Sequence, residues 1–268
     1  MDNYLSKTRE FEFTTSDLYC NGNISPVAIL ARCQDIAVEH AEELKLGRND
    51  MLNENLFWII TKYSIRILSQ PRRNTKYYIT TYPLKPQRAE ARRDFYIKDV
   101  DGNDIIKASS YWSVLDLEKR RLRRCNILFD KYDDSVYMPD IAIEDGLQKI
   151  TMLDIKCQNP LKFSVKNSDI DENNHMNNVK YANLLIDAFN YDEICNKTIA
   201  GFDINYVSEL KLGDNYAVKH ADFGNFSIID AYKITETGEE TSFLARVYWE
   251  NNVNTIKIPG KSYKETLI

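Results

Sequence analysis

The strongest constraint on the fold is an internal repeat. Residues 11–17 alternate apolar and polar side chains and end in Ser-Asp, and residues 163–169 repeat this pattern with the same ending. Such alternation predicts a half-buried strand in each place. A polar loop containing asparagines follows each segment, at 21–26 and at 173–178. The repeat therefore indicates two similar units within one chain.

Each loop leads into a predicted helix. Residues 27–44 have apolar side chains at helical spacing, with Ser25 and Pro26 as a cap and first turn, and residues 179–191 form the counterpart. The apolar positions are Ile29, Leu30, Cys33, Ile36 and Ala37 in the first helix, and Ala182, Leu185, Ile186 and Phe189 in the second. We expect each helix to pack on a sheet through this face.

Antiparallel strands complete each copy. Predicted strands at 57–67 and 202–210 follow the helices, and hairpins turn at Gly102 and Gly238. Each copy ends in a strand with a Tyr-Trp pair, at 111–112 and 248–249. This order predicts an α+β fold, in which each unit packs one long helix against an antiparallel sheet. We expect the first unit at 1–130, a linker at 131–156 and the second unit at 157–268.

The composition narrows the classes of function. Five cysteines without a CxxC pair and three scattered histidines indicate neither a disulfide framework nor a metal site. The formal charge of -5 does not favour nucleic-acid binding. The start of the chain lacks a signal-like apolar core, and no run approaches the roughly 20 apolar residues that span a bilayer. We therefore expect a cytoplasmic protein without a membrane span.

The two copies differ in their polar groups. Alignment at the Ser-Asp endings and at Tyr63 and Tyr206 places four pairs of residues opposite each other: Tyr19 and Asp171, Asn21 and Asn173, Asn23 and His175, and Arg66 and Glu209. The first copy thus lacks the acidic and imidazole groups. We expect the first unit to act as a scaffold and the second unit to carry the reacting groups.

A helix N-terminus would suit these groups, because its free N–H groups and partial positive charge stabilise a developing oxyanion. Glu209, on a predicted strand across the helix, could take a proton from water. Other interpretations stay open at this point. An asparagine-rich run is also typical of a capping loop, and Glu209 alone would be an ordinary strand carboxylate. We regard His40 and His220 as structural.

Residues 169–181, Asp-Ile-Asp-Glu-Asn-Asn-His-Met-Asn-Asn-Val-Lys-Tyr, resemble the signature of the acyl-[acyl carrier protein] thioesterases of plant plastids and bacteria. Residues 206–209 resemble the segment that supplies the glutamate of that family, and residues 111–121 extend the resemblance into the first half. The two units together resemble a tandem hot-dog fold. The resemblance implies hydrolysis of fatty acyl-[acyl carrier protein] thioesters, with these catalytic residues: Asp171, Asn173, His175 and Glu209.

From this resemblance we expect Glu209, together with His175, to activate the attacking water. Asn173 and helix-end N–H groups would hold the carbonyl, and Asp171 would orient the network. Leu210 stands where plant members often have a cysteine, which favours direct attack by water over a covalent route. This chemistry requires no cofactor and no metal.

The implied partner is an acidic acyl carrier protein, which a basic surface would attract. Two clusters are candidates: Arg88, Arg92 and Arg93, and then Lys119, Arg120, Arg121, Arg123 and Arg124. For any one of these residues, a solvated strand end is an equally good interpretation. A fused pair of units could suffice alone, and a homodimer also stays open.

The sequence leaves three other functions open: an acyl-coenzyme A thioesterase, a module that binds acyl thioesters without catalysis, and a dehydratase. The asparagines of the loop disfavour the dehydratase. The acyl chain length also stays open. We expect it to depend on a pocket between helix and sheet, to which first-helix side chains, Phe57 and Trp58 could contribute.

Overall fold

One antiparallel sheet runs through both units. The computed structural model describes residues 5–87, 90–144, 150, 160–236 and 238–250. Within these residues the first unit contains β1 (Lys7–Glu12), β2 (Leu56–Ile67), β3 (Lys76–Pro83), β4 (Ala91–Lys98), β5 (Asp104–Asp116) and β6 (Arg121–Arg123). The second unit contains β7 (Leu161–Ser164), β8 (Ile199–Tyr206), β9 (Asn215–Asp222), β10 (Phe226–Thr235) and β11 (Gly238–Trp249).

The strand order shows that the units are related by an approximate two-fold axis. The sheet runs β1-β3-β4-β5-β2-β8-β11-β10-β9-β7, with β6 paired to β5. The order in the second unit is therefore the reverse of the order in the first. The two units meet where β2 pairs with β8, and the predicted tandem α+β architecture is confirmed.

The first predicted helix is confirmed to within one residue at each end. Helix α1 spans Pro26–Glu43, and the Ser25 hydroxyl accepts a hydrogen bond from the backbone N–H of Ala28 (3.2 Å). Its apolar face is buried in the main core of the molecule. Serine and proline begin the helix because the hydroxyl satisfies a free N–H and the ring has the φ that a first turn requires.

The second long helix is not present, so that part of the prediction is wrong. Residues Lys180–Asn183 form one turn of 3-10 helix, followed by the short helices α3 (Leu184–Asp187) and α4 (Tyr191–Cys195). Asn190 adopts an extended conformation, and its side chain caps α4 at Glu193 N (2.9 Å), which ends the first helical stretch. The predicted inward face nevertheless holds, because Ala182, Leu185 and Phe189 are buried.

The repeated Ser-Asp segments are turns and not strand ends. Strands β1 and β7 stop before them, and 3-10 helices follow at Thr15–Asp17 and Asn167–Asp169. The carboxylate of Asp17 accepts from the backbone N–H of Thr14 (2.6 Å), and Asp169 accepts in the same way from Lys166 (2.9 Å). The repeat in the sequence is therefore a repeated turn, in which aspartate satisfies an exposed backbone donor.

A buried polar group lies at the junction between the units. Asp203 on β8 is almost fully buried and accepts hydrogen bonds from Ser64 (2.5 Å), Arg66 (2.8 Å) and the Tyr248 hydroxyl (2.7 Å). Burial and the neighbouring Asp203 raise the pKa of Tyr248 to about 12. These bonds compensate for the removal of the carboxylate from water and join strands of both units.

The predicted linker at 131–156 lies only partly within the described residues. A 3-10 helix occupies Asp134–Val136, and the backbone N–H of Ala142 donates to the buried carboxylate of Asp94 on β4 (2.7 Å). The predicted limits of the two units stay a prediction. In the part of the chain that the structure describes, no helix has the length and apolar character that crossing a membrane requires.

Candidate active site

The loop between β7 and the second helical stretch places three candidate residues on alternate positions. The backbone N–H of Asp171 donates to the carbonyl of His175 (3.0 Å), and Asn174 takes a left-handed conformation at the tip (φ 63°). The side chain of Asp171 accepts from the backbone N–H of Asn173 (2.8 Å). The loop is thus a closed turn that presents Asp171, Asn173 and His175 together.

The equivalent loop of the first unit has the same backbone. Tyr19 N donates to the carbonyl of Asn23 (3.0 Å), and Gly22 has the left-handed conformation (φ 82°) at the place of Asn174. The alignment of the two loops is therefore confirmed. In the first unit, however, the Tyr19 hydroxyl accepts from the amide of Asn21 (2.8 Å), and this interaction replaces the carboxylate of the second loop.

Glu209 lies in the loop after β8 and not on the strand, because β8 ends at Tyr206. Its carboxylate Oε2 lies 3.0 Å from Nε2 of His175. Two backbone bonds hold this loop: Met176 N donates to the Leu210 carbonyl (2.8 Å), and Leu210 N donates to the Tyr181 hydroxyl (3.0 Å).

The long helix whose N-terminus was expected to face the oxyanion is not present, and an oxyanion site at this helix end stays a prediction. The second helical stretch begins with a single 3-10 turn, whose dipole is small. Its first N–H groups are already used within the turn, since Val179 N donates to the Asn177 side chain (2.9 Å) and Lys180 N donates to the Asn177 carbonyl (2.8 Å). Asn177 is a cap, so the capping interpretation holds for this asparagine.

A first-unit arginine contacts the candidate site, and sequence reasoning missed it. Arg48 begins the short helix α2 (Arg48–Asn53). Its Nε donates to the amide oxygen Oδ1 of Asn173 (3.2 Å), and the same nitrogen lies 3.5 Å from the carboxylate of Glu172. No motif surrounds Arg48, and only the folding of the two units brings it to Asn173.

All four predicted catalytic residues line one cavity of about 440 Å³. The first unit contributes helix α1 and the residues Phe57 and Trp58 on β2, as expected from the sequence. The second unit contributes the polar end of the cavity: Asp171, Asn173, His175 and Glu209. His175 is partly buried, whereas the Glu209 side chain is 57% exposed. The arrangement has a polar mouth and a wall made largely of apolar and aromatic side chains.

The lining of the same cavity also contains Arg92 and Arg93. Arg92 pairs with the buried Asp94 (2.8 Å), and Arg93 contacts Nδ1 of His40 (2.9 Å). Burial lowers the pKa of Arg93 to about 10, and burial together with Arg93 lowers the pKa of His40 to about 4. Both arginines are half-buried and internally bonded, which makes them weaker candidates for a docking surface. Arg88 lies outside the described residues.

The second basic cluster forms the hairpin that joins β5 and β6. Four of its side chains are exposed: Lys119, Arg120, Arg121 and Arg124. Arg123 is half-buried and lies 3.7 Å from Asp116. Through strand pairing, Arg123 is opposite Val114, and Val114 is opposite Trp58. The basic hairpin is therefore a neighbour of the cavity wall.

Two tyrosines support the polar end of the cavity. The Tyr206 hydroxyl donates to the carbonyl of Asn178 (2.9 Å), and the Tyr181 hydroxyl accepts from Leu210 N. Burial raises the pKa of both hydroxyls, so they stay protonated. Among the described residues, no group of three or more His, Cys, Asp or Glu side chains is arranged to hold a metal ion.

The fold and cavity together define a double hot-dog protein with a carboxylate, an imidazole and an amide at the mouth of a largely apolar pocket. The family model of the acyl-ACP thioesterase N-terminal domain matches residues 5–129, and the model of the acyl-ACP thioesterase C-terminal domain matches residues 153–251. The chain belongs to the acyl-ACP thioesterase family.

Several curated relatives are plant proteins. Acyl-[acyl-carrier-protein] hydrolase FATB3, chloroplastic, of Cuphea viscosissima is 28% identical over 184 residues, which cover 62% of this chain and 44% of the relative. Oleoyl-acyl carrier protein thioesterase 2, chloroplastic, of Arabidopsis thaliana is 22% identical and is matched over 90% of this chain and 66% of its own length. The chain spans about half the length of FATB3 and related Cuphea proteins.

Solved structures support the fold. An acyl-ACP thioesterase from Bacteroides thetaiotaomicron VPI-5482 superposes with a TM-score of 0.79 at 22% identity, covering 92% of this chain and 98% of that one. The 12:0-ACP thioesterase from Umbellularia californica gives a TM-score of 0.80 at 17% identity, covering 92% and 97%. At these identities the likeness establishes the tandem hot-dog fold.

Proposed function

We propose that this protein hydrolyses fatty acyl-[acyl carrier protein] thioesters to free fatty acid and carrier protein. One observation carries the proposal: the His175–Glu209 contact of 3.0 Å stands beside Asn173 at the mouth of a cavity whose wall is largely apolar. Membership of the acyl-ACP thioesterase family supports it. The cavity accommodates an apolar chain while the polar end meets the thioester.

In the proposed mechanism, Glu209 accepts a proton from a water molecule as the water oxygen attacks the thioester carbon. The His175 N–H holds the carboxylate in place, and the amide of Asn173 donates to the developing oxyanion. Collapse of the tetrahedral intermediate breaks the carbon–sulfur bond, and the proton on Glu209 passes to the departing sulfur. Asp171 holds the backbone of Asn173 and so orients the loop.

Direct attack by water is favoured over a covalent route. Leu210 is fully buried and follows Glu209 directly, in the position where plant members of the family often have a cysteine. Among the described residues that line the cavity there is no cysteine. A thiol nucleophile would have to reach the thioester from within this lining.

For the carrier protein, we propose the β5–β6 hairpin as the docking surface. The hairpin lies next to the cavity wall, because β6 pairs with β5 and β5 pairs with β2. An acidic carrier would be attracted to this hairpin as it delivers the acyl chain. The expected cytoplasmic location and a homodimer stay predictions, which cell fractionation and sedimentation would test.

The test is the release of free fatty acid from a series of acyl-carrier-protein substrates of different chain length, measured beside the matched coenzyme A thioesters. We expect turnover with a preference for the carrier, and a fall in kcat of about a hundredfold or more in Glu209→Gln, His175→Ala and Asn173→Ala. Glu12→Gln, which changes an exposed carboxylate on β1, serves as the matched control and should leave kcat unchanged.

Full turnover in Glu209→Gln would contradict the mechanism. Tight binding without hydrolysis by the unaltered protein would identify a binding module. Faster turnover of coenzyme A substrates would show that the carrier assignment is wrong while the hydrolase chemistry is right.

A further inference from the structure

The loop asparagine of each unit reaches across to the other unit, but the two contacts have opposite polarity. In the first loop, the amide NH2 of Asn21 donates to the carbonyl of Lys197 (2.9 Å), and its Oδ1 accepts from Asn23 N (3.0 Å). In the second loop, the amide oxygen of Asn173 accepts from Arg48 Nε (3.2 Å). A carbonyl acceptor in one contact is thus replaced by a guanidinium donor in the other.

This difference decides which end of each amide is available. Both ends of Asn21 are engaged within the protein. For Asn173, the described part of the chain shows a hydrogen bond to the amide oxygen and none from the NH2 group. A guanidinium on the oxygen fixes the orientation of the amide, because an arginine can donate to the oxygen but cannot accept from the NH2. It also polarises the amide and strengthens the remaining donors.

Arg48 is well placed for this role because its backbone is held by the first unit. Met51, one turn further along α2, is buried in the cluster formed by Leu46, Leu56 and their neighbours, and Met51 N donates to the Gly47 carbonyl (3.0 Å). Arg48 lines the same cavity as Asn173. The ion pair with Glu172 gives its partly exposed side chain a second anchor on the same loop.

We propose that Arg48 is a positioning residue, which orients the amide of Asn173 so that its NH2 group faces the thioester carbonyl oxygen. The proposal rests on the function given above, in which Asn173 stabilises the oxyanion. It also assigns a task to the first unit beyond forming the pocket, because the reacting loop is incomplete without an arginine from the other half of the chain.

The experiment compares Arg48→Met, which keeps an unbranched stem without a donor, with Arg48→Lys, which keeps a charged donor. Arg72→Gln, an exposed arginine of the same unit outside the cavity lining, is the matched control. Each variant is assayed with a fatty acyl-[acyl carrier protein] and with a short acyl thioester of N-acetylcysteamine, which carries no phosphate. We expect kcat to fall about tenfold in Arg48→Met on both substrates, with KM within about twofold.

Arg48→Lys should recover part of kcat, and Arg72→Gln should keep all of it. In an Asn173→Ala background, Arg48→Met should cause no further loss, since the two residues act through one contact. Unchanged kcat in Arg48→Met beside a strong loss in Asn173→Ala would overturn the role of Arg48 alone. Additive losses of kcat in the double variant would also overturn the role of Arg48. A rise in KM confined to the carrier substrate would overturn it too, because it would mean that Arg48 binds the carrier's phosphate. Full activity in Asn173→Ala would instead overturn the oxyanion role and this inference together.

Discussion

At the scale of single residues, the two loops show how one backbone serves two purposes. Tyr19 and Asp171 occupy equivalent positions, and the backbone bonds around them agree closely in length. The Tyr19 hydroxyl accepts from the amide of Asn21, whereas the carboxylate of Asp171 bonds to the backbone of its own loop. Both loop asparagines contact the other unit, Asn21 as a donor and Asn173 as an acceptor. A few side chains therefore separate a structural loop from a candidate catalytic one.

A buried histidine at the same scale makes stability depend on pH. His40 contacts Arg93, and its pKa is lowered to about 4, while an unfolded histidine titrates near 6.5. Above pH 6.5 the imidazole is neutral in both states and adds no pH dependence. As pH falls from about 6.5 to 4, the unfolded state binds a proton that the folded state does not, so folding is destabilised.

We therefore expect His40→Gln, which keeps a hydrogen-bond acceptor near Arg93, to lose less stability than the unaltered protein over this pH range. The difference should be at most about 3 kcal/mol. Urea unfolding at several pH values measures it. His220→Gln, which leaves the His40–Arg93 contact in place, should keep the acid loss. Identical pH profiles for His40→Gln and the unaltered protein would show that His40 does not titrate in this way.

At the scale of elements, the β5–β6 hairpin is distinguished by a dense cluster of exposed basic side chains. Arg120 takes a left-handed conformation (φ 50°) in the turn, and the neighbouring basic side chains project from a three-residue strand. Asp116 partly neutralises the cluster at its base. The tip remains strongly basic on a chain whose net charge is -5.

Reversal of charge on this hairpin should affect the encounter with the carrier and not the chemistry. We expect Arg120→Glu, Arg121→Glu and Arg124→Glu together to raise KM for fatty acyl-[acyl carrier protein] about tenfold or more, with kcat nearly unchanged. The short N-acetylcysteamine thioester should be hydrolysed as before. The effect should shrink at high salt, because exposed charges are screened. Steady-state kinetics at two ionic strengths measure both.

The control for this prediction is the pair Arg72→Glu and Arg73→Glu. These exposed residues follow the far end of β2, about 35 Å along the strand from the hairpin. They should leave KM unchanged. Equal effects of both sets, or equal effects on both substrates, would count against docking at the hairpin.

At the scale of the whole molecule, the junction between β2 and β8 makes two units behave as one. The strands pair across the junction. The carboxylate of Asp203 accepts hydrogen bonds from both units, from Ser64 in the first and from Tyr248 in the second. The approach is close at Gly201, where an added Cβ would lie 2.6 Å from the Ile65 carbonyl oxygen. A buried carboxylate that loses partners is costly, so separation of the units without unfolding is disfavoured.

We therefore predict a single cooperative unfolding transition. Trp58 and Trp112 report on the first unit, and Trp249 reports on the second. Two variants, Trp249→Phe and the pair Trp58→Phe with Trp112→Phe, isolate the two signals. In each variant, fluorescence and far-ultraviolet circular dichroism should give the same urea midpoint. Within one variant, a fluorescence midpoint that differs from the circular dichroism midpoint would show that the units unfold independently.

The sequence by itself determined the parts of this protein that depend on local patterns. Helix α1, the two glycine hairpins and the repeated loops follow from periodicity, capping and turn chemistry, which act between residues close in the chain. The resemblance to a known family, together with the comparison of the two copies, also singled out Asp171, Asn173, His175 and Glu209, which the structure brings to one cavity. Their catalytic roles stay a prediction.

The tertiary structure alone decided how these parts combine. The break at Asn190, the position of Glu209 beyond β8 and the contact of Arg48 with Asn173 could not be predicted from the sequence. In each case the outcome depends on competition between local preference and packing against distant strands. The pairing of β2 with β8 brings residues more than a hundred positions apart into contact. No local pattern determines which strand pairs with the edge of another.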